Sequence, residues 1–165
     1  MGKYSRNRGI RGELSLVHFL FDNYGYLVRR GDCFRHEPDI VGLDGLHVEV
    51  KNVEKVDIGS WYWQSWEAAK KYDDGIPVVF HKENRKPWLA TVASKDFEAI
   101  GGGLPLMDRR QRFNVRTEIE KLGCIRYERQ GVDLVTMPIE AFLDEYGEWI
   151  YRKEGANGTS AERDT

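Results

Sequence analysis

The chain predicts a mixed α/β fold, a mixed β-sheet carrying helices on its faces. Apolar residues recur at helical spacing near the start, alternate at strand spacing around Val48, and return to helical spacing around Trp61. Turn-forming breaks separate these stretches, at Gly25, at Asp44-Gly45, and between Gly75 and Pro77. The resulting order, α-β-β-β-α-β-β, is that of a sheet covered by helices.

The first helix is expected from Asn7 to Asn23, with Asn7 as N-cap and Gly25 as the C-terminal stop. At about 100° per residue, Ile10, Leu14, Val17, Leu20 and Phe21 share one arc, and Glu13 falls inside it. A buried carboxylate is costly unless it is matched. Glu13 therefore requires an Arg or Lys partner or a metal, unless it lies at the rim of the core. Phe19 points off this arc.

A first strand is expected from Tyr26 to Arg30. The next two strands form a hairpin: Pro38-Asp39-Ile40 leads into a turn at Asp44-Gly45, and Val48-Glu49-Val50-Lys51 returns. A two-residue loop would set Asp39 opposite Val50. A three-residue loop, Leu43-Asp44-Gly45 with Gly45 left-handed, sets Asp39 opposite Glu49. Directly opposed residues have Cβ atoms roughly 5 Å apart, close enough to share a metal. The chemistry thus predicts the odd loop. Leu46, Val48 and Val50 then share one face, and His47, Glu49 and Lys51 the other. Two carboxylates and a lysine at one point can hold a divalent cation and activate a water. An edge strand with a solvated charged face is the simpler alternative.

Ser60 is expected to cap a helix running to Asp74, stopped by Gly75 and Pro77. It carries Trp61, Tyr62, Trp66, Ala69 and Tyr72 on a broad apolar arc, read as core, with Gln64 at its edge. Strands follow at Pro77–His81 and Trp88–Ala93. Ser94 is expected to cap a short helix ending before Gly101-Gly102-Gly103. Gly101 to Arg116, with Arg109-Arg110-Gln111-Arg112, reads as a mobile basic loop. Gly131 divides a last pair of strands, and Pro138 starts a helix to about Arg152.

The chain of 165 residues is of single-domain size. One domain is expected over 1–153, with a core at about 4–97, an elaboration at 98–153, and a disordered polar tail at 154–165. No apolar run is long enough to span a membrane, and Met-Gly-Lys-Tyr does not open a signal peptide, so a soluble intracellular protein is expected. Cys33 and Cys124 lack metal-site spacing and read as free thiols. The net charge of −2 hides an asymmetry. Up to residue 35, Lys3, Arg6, Arg8, Arg11, Arg29, Arg30 and Arg35 face only Glu13, Asp22 and Asp32; from 117 onward six basic residues meet eleven acidic ones. Basic charge next to the carboxylates is the distribution expected where phosphates approach one face. Arg8, Arg11, Arg29, Arg30 and Arg35 are the candidate DNA contacts.

The order of Glu13 on a first helix behind Arg8-Gly9-Ile10-Arg11-Gly12, then Pro38-Asp39, then Glu49-Val50-Lys51, resembles the PD-(D/E)xK nuclease superfamily. Within it the likeness is to archaeal-type and phage Holliday-junction resolvases. It spans about Tyr4 to Phe97 and does not reach Gly101 onward. The resemblance implies a restriction-endonuclease-like fold and Mg²⁺-dependent cleavage of DNA, with Mn²⁺ as a substitute. Asp39, Glu49 and the Val50 carbonyl would be the metal ligands, completed by Glu13 directly or through water. Lys51 would orient and activate the attacking water. Gln64 matches a Gln or Lys that superfamily members often carry near the metal. A four-way junction cut by two symmetric nicks implies a twofold homodimer, acting in the cytoplasm or, for a phage protein, the host's cytoplasm. Other nucleases on the same core, whether nicking, flap or restriction-type, and a non-catalytic DNA-binding module remain as alternatives.

Overall fold

The structure, a computed structural model, describes residues 3–72, 75–110 and 112–158. In chain order its elements are α1 (Lys3–Tyr24), β1 (Arg29–Arg30), a 3-10 turn (Cys33–Arg35), β2 (Ile40–Val41), β3 (Leu46–Asn52), α2 (Ile58–Tyr72) and β4 (Ile76–Lys82). There follow β5 (Leu89–Ala93), α3 (Ser94–Ile100), β6 (Met107–Asp108), α4 (Val115–Leu122), β7 (Ile125–Arg129), β8 (Val132–Pro138) and α5 (Ile139–Gly158). Among the described residues the eight strands form one sheet in the order β1-β2-β3-β4-β5-β8-β7-β6. β3 and β4 run parallel across the α2 crossover, β6 and β7 run parallel across α4, and the other neighbours are antiparallel. The expected mixed α/β sheet flanked by helices is the observed fold.

The alternation of each strand divides two cores. Val48, Val50, Val78, Phe80, Ala90, Val92, Val135 and Met137 pack against Leu16 and Leu20 of α1, Phe97 and Ile100 of α3, and Phe142, Leu143 and Tyr146 of α5. On the opposite face Val79, Leu89, Tyr127 and Leu134 meet Ile58 and Tyr62 of α2 and Ile119 of α4. β4 sits in the middle, buried on both sides from Pro77 to His81. That double burial is why it reads as an unbroken apolar run.

Several boundaries differ from expectation. α1 begins at Lys3, so Asn7 lies within the helix and caps nothing; Gly25, at φ 70°, does stop it, its N–H donating to Phe21 O. The buried stripe of α1 centres on Leu16 and Leu20, with Phe19 packed on the core, whereas Leu14 and Phe21 are exposed. Leu20 and the half-buried Val17 of the expected arc do face the core, but the arc left out Leu16, and the helix is rotated so that Leu14 and Phe21 leave it. Tyr26 to Val28 do not join the first strand, because the Val28 N–H is taken by Tyr26 O. Asp57 rather than Ser60 accepts at the start of α2, from the Ser60 N–H at 3.5 Å. Ser94 is the first residue of α3 and donates instead to Asp133 at 2.6 Å, while Ala93 holds the cap position without a side-chain bond. Tyr72 is more exposed than its core assignment, and stacks on His36 at 5.1 Å.

The stretch Gly101–Arg116 is not a free basic loop. It contains β6 and enters α4, where the Asn114 side chain accepts from the Thr117 N–H. Arg110 donates to Asp108 and Glu118, and the buried Arg116 to Glu83 and the Pro87 carbonyl, so two of its cations are matched by acids. Helix α5 runs through 154 to Gly158 rather than ending at Arg152. Gln111, the helix end expected at Asp74, and the tail from 159 lie outside the described residues.

Candidate active site

The site grows from the β2–β3 hairpin. Gly45 takes φ 78° and the Leu46 N–H closes a turn on Leu43 O at 3.1 Å. Ile40 pairs with Val48, which is the register of the three-residue loop; one step further it sets Asp39 against Glu49. At Asp39 the ladder shifts: its N–H donates to Val48 O at 2.9 Å, and its Oδ2 accepts the Val50 N–H at 2.8 Å. The carboxylate thus stands in for a backbone acceptor and is fixed to the strand that bears Glu49 and Lys51.

Glu49 and Lys51 project on the face that α2 covers. Lys51 Nζ lies 2.5 Å from Glu49 Oε1 and 3.1 Å from Gln64 Oε1. Gln64 reaches that point because α2 packs across β3 and β4, where Ser65 donates to His47 O. Lys51 is in register with His81 of β4, whose ring lies 5.8 Å from that of Trp61.

Glu13 arrives from the other side, on α1. Gly12 makes that approach feasible: a Cβ there would lie 2.9 Å from Asn52 Cβ, at the end of β3. Glu13 Oε2 is held by Arg30 Nε at 2.5 Å, so the Glu13–arginine pair is the one formed. Glu13, Asp39, Glu49 and Lys51 line one cleft of about 680 Å³, together with Arg8, Arg30 and Asn52. Gln64 reaches the cleft through Lys51. The Asn52 Oδ1 is buried with no hydrogen-bond partner among the described residues, a feature of the cleft that strand alternation alone did not flag.

Burial, followed by the charge of Glu49 and then that of Glu13, pushes the Asp39 carboxyl up to about 7. The Val50 N–H and Lys51 oppose the shift without cancelling it. An anion destabilised by neighbouring anions is what a hard cation relieves, and the available donors are all oxygen. Asp39, Glu49 and the Val50 carbonyl therefore fit a divalent metal. Among the described residues no group of three or more His, Cys, Asp or Glu stands close enough to hold one, and Glu13 is engaged by Arg30.

The candidate DNA contacts divide by their partners. Arg8 reaches Glu54 and Asn84 at 3.5 Å each, Arg29 grips Glu37 through two bonds of 2.7 and 2.8 Å, and Arg35 lies 3.7 Å from Asp32. Arg11 is exposed. Arg8 and Arg30 are the two that line the cleft itself.

Fold and site together define an α/β sheet protein with a carboxylate–lysine cleft at the β2–β3 edge. No family model and no curated protein matches the chain. Among solved structures it is similar to the Holliday junction resolvase Hjc of the archaeal hyperthermophile Archaeoglobus fulgidus. The identity is 24%, over 48% of this chain and 72% of that one, with a TM-score of 0.37. No helix among the described residues is long and apolar enough to cross a membrane.

Proposed function

We propose that this protein is a metal-dependent DNA endonuclease of the PD-(D/E)xK kind, and more narrowly a Holliday-junction resolvase acting as a homodimer. The observation that carries the reading is the convergence of Asp39, Glu49 and Lys51 on one cleft, with the Asp39 carboxyl pushed up by burial and by the charge of Glu49. Asp39, Glu49 and the Val50 carbonyl would hold Mg²⁺, or Mn²⁺ in its place. When bound, the ion supplies charge to the scissile phosphate and lowers the pKa of a water. Lys51, steadied by Glu49 and Gln64, orients that water in line and offsets the negative charge that develops on the phosphate. The expected ends are 5′-phosphate and 3′-hydroxyl. The arginines before Asp39 position the phosphate backbone without reading bases. One site per chain and two symmetric nicks per junction call for two chains related by a twofold axis.

Labelled four-way junction, duplex and single-stranded DNA, each with Mg²⁺ and with EDTA, test the reading. Paired, symmetric, Mg²⁺-dependent nicks in the junction are expected. Cutting of duplex or flaps alone leaves a nuclease and removes the resolvase. Binding without cutting of any substrate removes the enzyme.

A further inference from the structure

Three acids of the cleft, Glu13, Asp39 and Glu49, each have a separate partner. Lys51 holds Glu49, the Val50 N–H holds Asp39, and Arg30 holds Glu13. The last pair differs from the other two. Lys51 and the Val50 N–H come from the same strand as Glu49, whereas Arg30 comes from β1, at the sheet edge. Its side chain is 34% exposed, against 16% for Glu13, so it stands on the solvent side of the pair. Arg30 engages Glu13 through Nε, and its two Nη groups have no hydrogen bond among the described residues. Glu13 nevertheless lies near enough to Asp39 for its charge to be felt there.

We propose that Arg30 is a DNA-sensitive latch on the metal site: a backbone phosphate entering the cleft draws the guanidinium away, and Glu13 then completes the ligand set with Asp39 and Glu49. This rests on the metal-nuclease reading above and adds the order of events. A phosphate competes well for Arg30 because guanidinium binds it through two parallel bonds, while Glu13 receives one. Once released, Glu13 is a partly buried carboxylate beside two others, a state that a divalent cation stabilises and bare protein does not. DNA and metal therefore each strengthen the binding of the other by the same factor. Without DNA, the site holds metal weakly.

The test measures metal affinity rather than cleavage. Mg²⁺ is titrated calorimetrically into DNA-free wild type, Arg30→Gln, Glu13→Gln, the double variant, and Asp39→Asn. Arg30→Gln is expected to bind Mg²⁺ roughly tenfold more tightly than wild type, within the usual range for coupled sites. In the Glu13→Gln background the same change should move affinity by less than about twofold. An equal gain in both backgrounds means that Arg30 acts only as a charge at a distance, and overturns the latch. No gain in either background also overturns it. If Asp39→Asn binds Mg²⁺ as wild type does, the metal-site reading itself fails, which is a separate outcome. A measurement on wild type needs no variant to fold: the Arg30 Nε–H resonance is followed as a short four-way junction is added in EDTA. It should shift as its acceptor changes from carboxylate to phosphate, and a stationary resonance on saturated DNA overturns the latch.

Discussion

Across β4, β5, β8 and β7 runs a row of buried polar side chains. His81 lies 2.9 Å from Thr91, Thr91 2.7 Å from Thr136, and Thr136 2.7 Å from Tyr127. At the β2–β3 edge of the same sheet, Asp39, Glu49 and Lys51 are gathered just as tightly. In the first row burial drives each group to its neutral form, pushing His81 down to about 3 and Tyr127 up to about 12. Neutral groups bonded to one another leave nothing for a ligand to stabilise. At the edge, two carboxylates and a third nearby meet two cations, and Asp39 remains destabilised. Both regions are buried and hydrogen-bonded, so those properties do not separate structure from function. What separates them is whether the charge balance closes.

Substitutions in the two regions should therefore act in opposite currencies. The largest expected effect is at Lys51. Lys51→Ala should slow the single-turnover chemical step by roughly 10²–10⁴-fold, the range of a positioned acid–base group. Its Mg²⁺ affinity should be largely retained, because lysine is not a ligand. Full rescue by excess Mg²⁺ would place Lys51 in the shaping of the metal site instead. Gln64→Ala, acting through Lys51, should cost about 10- to 100-fold, as for partners that orient an active group. A rate equal to wild type would detach Gln64 from the chemistry.

Stability should show the reverse pattern. Thr136→Val removes the hydroxyl that both Thr91 and Tyr127 touch, and leaves a buried phenol short of a partner. It is expected to destabilise by about 1–3 kcal/mol in urea denaturation, with the cleavage rate of the folded protein unchanged. Asp39→Asn should do the opposite in metal-free buffer. Because the folded-state carboxyl lies near 7, above its ordinary 3.8, the native state binds the proton more tightly than the unfolded chain between those values. Wild type therefore loses stability as pH rises through that window, and the loss is complete above it. Asp39→Asn lacks this titration. Its melting temperature should match wild type near pH 4 and exceed it at pH 8; a lower value at pH 8 would mean that Asp39 is not a strained anion.

The smallest effects are expected among the arginines. Arg11→Ala should flatten the slope of log K against log salt for DNA binding by about 0.9, one phosphate contact. Arg29→Ala should flatten it less, since Glu37 already holds that guanidinium at two points. Equal slopes for wild type and Arg11→Ala would take α1 out of the DNA path.

How much of this was legible in the sequence depended on distance along the chain. The Asp39–Glu49 register could be read because it is set locally, by the length of one turn and the handedness of Gly45. The faces of β3 followed from alternation alone. Glu13 was legible as a carboxylate needing a cation, but its choice of Arg30, 17 residues on, depends on where β1 lies beside α1. The same limit explains α4. Asn114 and Thr117 signal its cap, but the surrounding arginines read as a free basic stretch until Glu83, 33 residues before Arg116, supplies a partner. The rotation of α1 differs from expectation because Leu14 and Phe21 look as apolar as Leu16, which the expected arc left out; Leu20 lay on it. Only the packed sheet distinguishes them.

The contrast between the two buried polar regions is tested most directly by single-turnover cleavage of a four-way junction in Mg²⁺. Wild type, Asp39→Asn and Thr136→Val are compared at a temperature where all three are folded. Asp39→Asn is expected to be folded and inactive, and Thr136→Val less stable but as fast as wild type. Cleavage by Asp39→Asn at the wild-type rate would contradict the assignment of the β2–β3 edge as the catalytic centre.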